Sequence, residues 1–322
     1  MRATSDIATF SFRYVLPGET IFGKRDGAIG RTLTLDDTDV PWDQLLETVV
    51  RENRLGLVLG IGVKTGKRLG KYLSDGRVVV ISPAGMSAGQ LKRALDRRIS
   101  VLEAEQRRAQ LIAEGQEHLV RSVECPVCKA TVDLSGLEPT RYVYCRFCES
   151  IFADAPKHVT DGRVHRTCEE CGMFDRIQSY PEFYFYFLLV VYGFSYKQRF
   201  LCDSCAHQLF FKTLLANFLF VVGIPVSVWV KVKSLRGREP MFDALPDGNH
   251  HAKAGRYQEA VPIYKRLLHK HPDHPGILTN QALAQLHGGH EQAAGETLAR
   301  ALAACNSYLP ALQLLQPAER RA

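Results

Sequence analysis

Four Cys-x-x-Cys pairs follow one another in the middle of this 322-residue chain, and no other feature constrains its fold as strongly. The pairs are Cys125/Cys128, Cys145/Cys148, Cys168/Cys171 and Cys202/Cys205, and the ninth cysteine is Cys305. A Cys-x-x-Cys turn directs two thiolates to one point, and two such turns supply the four sulfur ligands of a tetrahedral zinc ion. The pattern therefore predicts two structural Zn²⁺ sites, each made of four cysteines.

The distances between the pairs indicate how they combine. Residues 129–144 separate the first pair from the second, which is the spacing of a zinc-ribbon-like module, predicted here over 122–155. The third and fourth pairs are further apart and enclose an aromatic insertion, and they predict a second zinc module over 160–207. Sequential pairing is the simpler connectivity, and the interleaved cross-brace of RING-like domains is the alternative.

The redox state of these cysteines sets an expectation about the compartment. Disulfide bonds form in exported proteins, and the first ten residues contain no apolar signal core. Eight paired thiols that must stay reduced therefore predict the cytoplasmic side of a membrane, with the cytoplasm as the alternative.

Residues 1–86 predict a small antiparallel β domain. Short apolar runs, some alternating with polar residues, are separated by turns that contain Gly or Asp. The predicted strands fall in 9–14, 31–35, 55–61, 69–73 and 77–81. A helix follows, with Ser87 as a suitable N-cap, and because no proline interrupts its pattern the sequence predicts a long connecting helix over 87–121.

Small antiparallel strands closed by one C-terminal helix resemble the pleckstrin-homology-like fold, including its bacterial versions. Residues 33–42 (LTLDDTDVPW) resemble a strand of that family and the segment after it. The resemblance covers about 90 residues and implies a binding or docking module with no chemistry of its own.

Two apolar segments, 183–194 and 208–232, predict contact with a membrane. The second holds 18 consecutive uncharged residues. As a straight helix these would reach about 27 Å, just short of a hydrocarbon core of about 30 Å. Gly223 and Pro225 favour a bend, and basic residues flank both ends, so we expect a helical hairpin that enters from the cytosol and returns to it. A buried helix that covers the aromatic run is the alternative.

Residues 239–318 predict two helical repeats. A set of four residues, Gly255, Tyr257, Ala260 and Tyr264, is followed 34 residues later by Gly289, Glu291, Ala294 and Leu298. With Pro272 after its second helix, the first copy resembles a tetratricopeptide repeat, whose own period is 34 residues. The second copy departs from that pattern at Glu291 and Asn306. The resemblance implies that a protein or peptide partner binds this region in a concave groove.

Two copies are fewer than the roughly three that such an array needs for independent stability. We therefore expect the repeats to dock on neighbouring parts of the chain or on a second subunit, as in a homo-oligomer. The histidines of this region are predicted to lie in loops and at helix ends, with a metal site as the alternative. They are His250, His251, His269, His271, His274, His287 and His290.

The predicted fold class is a multidomain α+β protein. It would contain a small antiparallel β domain with a C-terminal helix, two Cys₄ zinc modules, an apolar membrane-associated helical hairpin and an α-helical repeat pair. No nucleophile–base pair, carboxylate dyad or cofactor fingerprint is present in the sequence, and a closed Cys₄ site leaves zinc no open position for a substrate. The sequence thus predicts a non-catalytic, membrane-associated zinc-binding adaptor or scaffold that binds a protein partner through 239–318.

A nucleic-acid-binding zinc-ribbon protein is the alternative. Basic and aromatic residues that could contact phosphates and stack on bases surround the second cysteine pair: Arg141, Tyr142, Tyr144, Arg146 and Phe147. The net charge of +7 is modest for a dedicated nucleic-acid binder. A third class, a ubiquitin-ligase-like enzyme with cross-braced zinc, has only the cysteine count in its favour.

Overall fold

The structure, a computed structural model, describes residues 8–16, 19–20, 23–51, 54–74, 77–153, 165–188, 191–216, 228–229, 231–232 and 242–315. The chain divides into two compact units. The first consists of Met1–Glu124 with Cys128–Ser135, and the second of Cys125–Val127 with Gly136–Ala322.

The first unit is built on an antiparallel sheet. Its described strands are β1 (Ala8–Leu16), β2 (Glu19–Thr20), β3 (Arg25–Ile29), β4 (Leu33–Leu35), β5 (Thr38–Val40), β6 (Leu45–Arg51), β7 (Arg54–Leu59), β8 (Leu73–Ser74) and β9 (Val78–Ala84). They follow the order β5-β4-β3-β1-β9-β7-β6, with β2 paired to β1 and β8 to β9. The first strand therefore lies beside the last in the middle of the sheet.

Alternation of apolar and polar residues places the core of this unit. Phe10, Phe12 and Tyr14 of β1 are buried together with Leu55 and Leu57 of β7, because successive side chains of a strand lie on opposite faces. Strands β3 and β5 are not evident in the sequence, since RDGAI and TDV carry Asp and Gly, which are depleted in strands. Pairing with neighbouring strands, rather than local preference, forms them.

The segment 69–73, predicted as a strand, instead contains a 3₁₀ turn over Leu69–Tyr72. The carboxylate of Asp37 accepts hydrogen bonds from the backbone N–H groups of Arg68 at 2.9 Å and Leu69 at 3.4 Å. The bond from Arg68 is the main reason that the pKa of Asp37 lies below its ordinary value. A tertiary anchor thus overrides the local sequence pattern.

A single helix, α1 (Ala88–Ala113), follows the sheet. It begins with a capping box, in which Ser87 Oγ accepts from the backbone N–H of Gln90 at 3.2 Å and Gln90 Oε1 accepts from the backbone N–H of Ser87 at 2.8 Å. The helix ends well before residue 121, the end predicted from the sequence. Gly115 has a φ of 72° and donates its N–H to the carbonyl of Ile112 at 3.0 Å, which is a common way to end a helix.

The helix α1 is not a free connector within its unit. After it come β10 (Ser122–Glu124) and β11 (Thr131–Asp133), which pair as a hairpin. Arg97 Nε donates to the backbone carbonyl of Cys128 at 2.9 Å. Ser100 Oγ accepts from the backbone N–H of Thr131 at 2.9 Å. These two bonds hold the hairpin against the helix.

The second unit contains short strands followed by helices. Its described strands are β12 (Tyr142–Tyr144), β13 (Ile151–Ala153), β14 (His165–Thr167), β15 (Phe174–Leu188) and β16 (Val191–Cys202). Its described helices are α2 (Asp203–Ala216), α3 (Leu245–Lys253), α4 (Tyr257–Lys270), α5 (Pro275–His287), α6 (Glu291–Ala304) and α7 (Leu309–Leu315). β12 pairs with β13, and β14, β15 and β16 form a three-stranded sheet.

Apart from residues 189–190, which lie outside the described residues, the aromatic segment 183–194 lies in β15 and β16, which pair as a long antiparallel ladder. Three alternate pairs of the register are Phe183 with Tyr196, Phe185 with Phe194 and Phe187 with Tyr192. Because alternate pairs share a face of a two-stranded ladder, these six aromatic positions fall on one face. The sequence does not reveal this strand pair, since a continuous apolar run lacks the alternation typical of a half-buried strand.

The helical hairpin predicted over 208–232 is not found among the described residues. Its first part belongs to α2, while Gly223 and Pro225, where the bend was predicted, lie outside the described residues. None of the helices formed by described residues combines the length and the apolarity that a bilayer crossing requires.

The C-terminal helices form two pairs, α3 with α4 and α5 with α6, followed by α7. Gly255 and Gly289, which the 34-residue period relates, lie between the helices of each pair with φ of 75° and 79°. Ala260 and Ala294, related by the same period, are fully buried. The 34-residue period of the sequence therefore corresponds to the repetition of the helix pair in the structure.

The helix α5 is buried along most of its length, including every residue from Pro275 to Ala282. Its Ile277 belongs to a core that also contains Tyr144, Met173 and Phe174 of the cysteine-rich modules. The two repeats thus dock on neighbouring parts of the same chain, which is one of the two arrangements expected from the sequence.

Candidate metal centres

The eight paired cysteines come together in two groups of four. The first is Cys125, Cys128, Cys145 and Cys148, and the second is Cys168, Cys171, Cys202 and Cys205. Within each group the Sγ atoms all lie within 4.8 Å of one another. The first pair combines with the second and the third with the fourth, so the sequential connectivity holds and the cross-braced alternative does not.

Three of the four Cys-x-x-Cys turns share one backbone geometry. The residues that directly follow them, Lys129, Glu149 and Gly172, have φ values of 64°, 61° and 68°. Glu149 donates its N–H to the carbonyl of Cys145 at 2.7 Å, and Gly172 donates to that of Cys168 at 2.9 Å. A tight turn closed in this way places both sulfurs of a pair on the same side of the backbone.

A helix presents the fourth pair. Cys202 is the last residue of β16 and Cys205 lies in the first turn of α2, where the partial positive charge of the helix N-terminus favours thiolates. Asp203, the first residue of α2, accepts hydrogen bonds from the hydroxyl of Tyr180 at 2.6 Å and from the side chain of Arg176. Burial and then the bond to Asp203 raise the pKa of Tyr180, so its hydroxyl keeps its proton.

In the first group, the sulfurs lie at distances suited to a metal ion. Cys125 Sγ and Cys148 Sγ are 3.7 Å apart. Ser150 Oγ lies 3.5 Å from Cys125 Sγ and 3.0 Å from Cys148 Sγ. A serine hydroxyl beside two sulfurs can donate a hydrogen bond to a thiolate, which stabilises the charge that a ligand sulfur must carry.

The sulfurs of the second group also lie close together. Cys171 Sγ and Cys202 Sγ are 4.0 Å apart, and the backbone N–H of Cys202 donates to Cys168 Sγ at 3.4 Å. Zinc–sulfur bonds of about 2.3 Å in a tetrahedron place the sulfurs about 3.8 Å apart. None of these eight cysteines forms a disulfide bond, and both sets of four therefore fit a closed tetrahedral site.

Lys253, the last residue of α3, contacts the second group. Its Nζ donates to Cys202 Sγ at 2.9 Å and to Cys205 Sγ at 3.5 Å. Burial alone would lower the pKa of Lys253, but the charges of Cys202 and Cys171 raise it above its ordinary value. Four thiolates around a divalent ion leave two negative charges, and this ammonium offsets one of them.

The residues considered for nucleic-acid binding are mostly used in packing. Tyr144 is buried and its ring meets that of Tyr308 edge to face at 5.2 Å. Tyr142 packs its ring against His274 at 5.3 Å and donates its hydroxyl to the carbonyl of Pro272 at 3.3 Å. The guanidinium of Arg146 lies over the ring of Phe147 at 4.9 Å. Tyr142 and Tyr144 are therefore not free to stack on bases.

The histidines form no metal-binding group in the part of the chain that the structure describes. Several lie at helix ends: His250 and His251 in the last turn of α3, His269 in that of α4 and His287 in that of α5. This agrees with the first of the two expectations from the sequence.

His274 is the exception, because it is buried in an aromatic cluster. Its ring centroid lies 5.1 Å from that of Phe174 and 5.3 Å from that of Phe242. Its Nδ1 is buried without a hydrogen-bond partner among the described residues. Burial, reinforced by His271 and His165, lowers the pKa of His274 to about 3, so the ring is neutral at physiological pH.

Comparison with known proteins adds one match. Residues 246–308 match the tetratricopeptide repeat family model, and the matched span runs from α3 to the last residue before α7. No curated protein and no solved structure matches the chain. The repeats indicate a role in protein interaction, and the two cysteine groups could hold metal ions. The pleckstrin-homology-like resemblance of residues 1–86 is not confirmed and stays a prediction.

Several residues of the site could not be identified from the sequence. Lys253 and Ser150 are ordinary polar residues that acquire a role only because the fold brings them to the sulfurs. Asn249 of α3 and Asn280 of α5 are buried and hydrogen-bonded to the segment after Cys171. The sequence gives one indication of the role of these two asparagines. Both lie inside predicted repeat helices, and a polar residue that is buried there must have a hydrogen-bond partner.

Replacing Lys253 by Met should weaken metal binding at the second group alone. The variant keeps the length of the side chain but removes the ammonium that hydrogen-bonds Cys202 and Cys205. We expect the affinity of that site to fall about 10- to 100-fold, as for other partners of metal ligands. Competition with a chromophoric chelator measures the metal affinity of both cysteine groups. Lys270→Met is the matched control, and equal metal release from both variants would contradict the assignment.

Replacing His274 by Phe should make the second unit less sensitive to acid. The imidazole titrates near pH 6.5 when unfolded but only near 3 when folded, so unfolding takes up a proton between these values. Wild-type stability therefore falls as the pH drops below 6.5. Between pH 7 and 5.5 this loss is about 1 kcal/mol, and the variant lacks it. Urea unfolding of both proteins at pH 7 and pH 5.5 measures this loss of stability. An equal loss in the wild type and the variant would show that His274 does not cause it.

Proposed function

We propose that this protein is a non-catalytic zinc-binding adaptor that binds a protein partner through residues 239–318. The observation that carries the proposal is the joint core in which two tetratricopeptide-like helix pairs pack against the module of the second cysteine group. In such an arrangement metal stabilises the module, and the module in turn supports the repeats.

Zinc is the metal that the ligand set favours. Four thiolates at tetrahedral spacing suit zinc or iron–sulfur chemistry, and the Cys-x-x-Cys spacing of the first group is that of zinc modules. Each group uses all four positions of a tetrahedral ion, so the metal would have no open position for a substrate and its role would be structural. Metal analysis should return two zinc ions per chain, and an iron absorption spectrum would contradict this.

Partner binding by the repeats can be tested by overpacking them. Ala260 is fully buried between the helices of the repeat region, so Ala260→Trp should force those helices apart and cost about 1–3 kcal/mol. We expect the variant to lose partner capture, measured by quantitative pull-down, while it keeps two bound metal ions. Leu312→Trp, at an exposed position of α7, is the control. Partner capture that is unaffected by Ala260→Trp would show that the repeats are not the binding region.

We also propose that the adaptor works at the cytoplasmic side of a membrane, through 183–194 and 208–232. Two observations support this. The helix α2 leaves Phe211 55% and Leu215 80% exposed, and exposed apolar groups of this size often mark an interaction surface. In addition, six aromatic positions fall on one face of the β15–β16 hairpin, as described above, and Trp229 with Lys231 is the type of pair found at lipid interfaces.

Vesicle flotation tests the membrane proposal. The full chain should float with vesicles of mixed neutral and anionic lipids, and Phe211→Ser with Leu215→Ser should lower the bound fraction several-fold because two exposed apolar side chains are lost. Leu312→Ser is the matched control, since Leu312 is also exposed but lies on α7. Equal flotation of all three proteins, or none by the wild type, would reject membrane binding through α2.

A further inference from the structure

The repeats already hold an extended segment, and it comes from their own chain. At the start of β15, the backbone N–H of Phe174 donates to Asn280 Oδ1 at 2.7 Å, and Asn280 Nδ2 donates back to the carbonyl of Phe174 at 2.7 Å. Asn249 Nδ2 donates to the same carbonyl at 3.1 Å. Both backbone polar groups of one residue, Phe174, are thus satisfied by side chains of α3 and α5.

These two amides are themselves held in position. Asn249 Oδ1 accepts from the hydroxyl of Tyr264 at 2.8 Å and from Asn280 Nδ2 at 2.8 Å. Tyr264 lies on α4, so three repeat helices contribute to one network. All three side chains are buried. A buried and fully connected network of this kind fixes its donors and acceptors before a ligand arrives.

The pocket next to the two amides fits an aromatic side chain. A Cβ atom added at Gly276 would lie 2.4 Å from the ring of Phe174, so only glycine allows the ring to approach α5 this closely. Phe242 and His274 line the same pocket, with ring centroids 6.0 Å and 5.1 Å from that of Phe174. The space is therefore shaped around an aromatic ring.

The next residue of the segment is also recognised. Asp175 Oδ2 accepts from Asn249 Nδ2 at 2.9 Å, and Asp175 is buried. Lys253 lies one helical turn beyond Asn249 on the same helix, so positive charge is close to this carboxylate. The site thus recognises three features: the backbone N–H and C=O of an extended residue, the aromatic ring of that residue and the acidic side chain that follows it.

The face of α3 and α5 that carries Asn249 and Asn280 is called the inner face of the repeats. We infer that this face is a binding site for an extended segment in which an aromatic residue is followed by an acidic one, and that Phe174–Asp175 occupies this site in cis. The inference rests on the partner binding proposed above and names the kind of segment that the partner would contribute. A partner of this class must displace the chain's own segment, so the cis segment lowers the apparent affinity of the site for the partner.

A synthetic peptide tests the inference directly. The peptide is Gly-Met-Phe-Asp-Arg-Ile-Gln, the sequence of residues 172–178, with a fluorophore at its N-terminus. The proteins are the full wild-type chain and the full chain with Phe174→Ala and Asp175→Ala, which weakens the cis segment and leaves all eight cysteines in place. Fluorescence anisotropy should show at least about tenfold tighter peptide binding by the variant than by the wild type, because the wild-type site is filled.

Two controls show whether the peptide binds at the inferred site. Adding Asn280→Ala to the double variant should weaken peptide binding about tenfold, since both bonds of Asn280 to the backbone of the peptide's phenylalanine are lost. A peptide with Ala in place of Phe and Asp should not bind. Peptide affinity that is unchanged by Asn280→Ala, or no binding by a double variant that keeps its helicity and metal, would overturn the inference.

If the double variant does not fold, Phe174→Leu replaces it, because leucine keeps the pocket filled with an apolar side chain but loses the ring. The expected order of peptide affinity is then Phe174→Leu above wild type, and equal affinities would overturn the inference. Failure of this experiment is separate from failure of the proposed function. Partner capture that depends on Ala260 together with no peptide binding would reject only the inner-face site.

Discussion

A residue can be buried in an interface only if its backbone N–H and C=O both find partners, and at Phe174 the side chain of Asn280 bonds to both. The second unit depends on this exchange. The inner face of the two tetratricopeptide-like pairs is the face on which such repeats bind their partners, and here the segment after Cys171 covers it. The bonds to Asn280 and Asn249 fix the register of that segment on the repeats. A shift of the segment by one residue would leave buried polar groups unpaired, at a cost of about 1–3 kcal/mol each.

The same segment links this interface to the second cysteine group. The backbone N–H of Cys168 donates to the carbonyl of Met173 at 2.9 Å, and Met173 directly precedes Phe174, whose backbone the repeats bind. On the other side, Lys253 of α3 donates to two sulfurs of the group. The repeats and the metal module therefore share both a hydrogen-bonded segment and a charge pair, and neither is complete without the other.

The parts of this structure that the sequence predicts are those set by local rules. The Cys-x-x-Cys spacing determines which sulfurs can meet. Short apolar runs, some alternating with polar residues, predict β1, β7 and β9. The 34-residue period aligns Gly255 with Gly289 and Ala260 with Ala294. The parts it misses depend on residues far apart. Asp37 converts the predicted strand at 69–73 into a 3₁₀ turn, and the continuous apolar run of β15 and β16 resembles a membrane segment more than a hairpin. Asn249, Asn280 and Lys253 carry no local signal, because each gains its role from a partner on another element.

The long sequence separations within the second unit have a consequence for how the protein is made. Its hydrogen bonds join Phe174 to Asn280 across 106 residues, Tyr142 to Pro272 across 130 and Glu138 to Asn306 across 168. During synthesis the cysteine modules leave the ribosome well before the helices that cover Met173 and Phe174. Metal can enter a module at that stage, but its apolar surface stays uncovered until α5 has been translated. Non-local contacts of this kind slow folding and prolong the exposure of aggregation-prone surface, so the newly made chain needs protection during that interval.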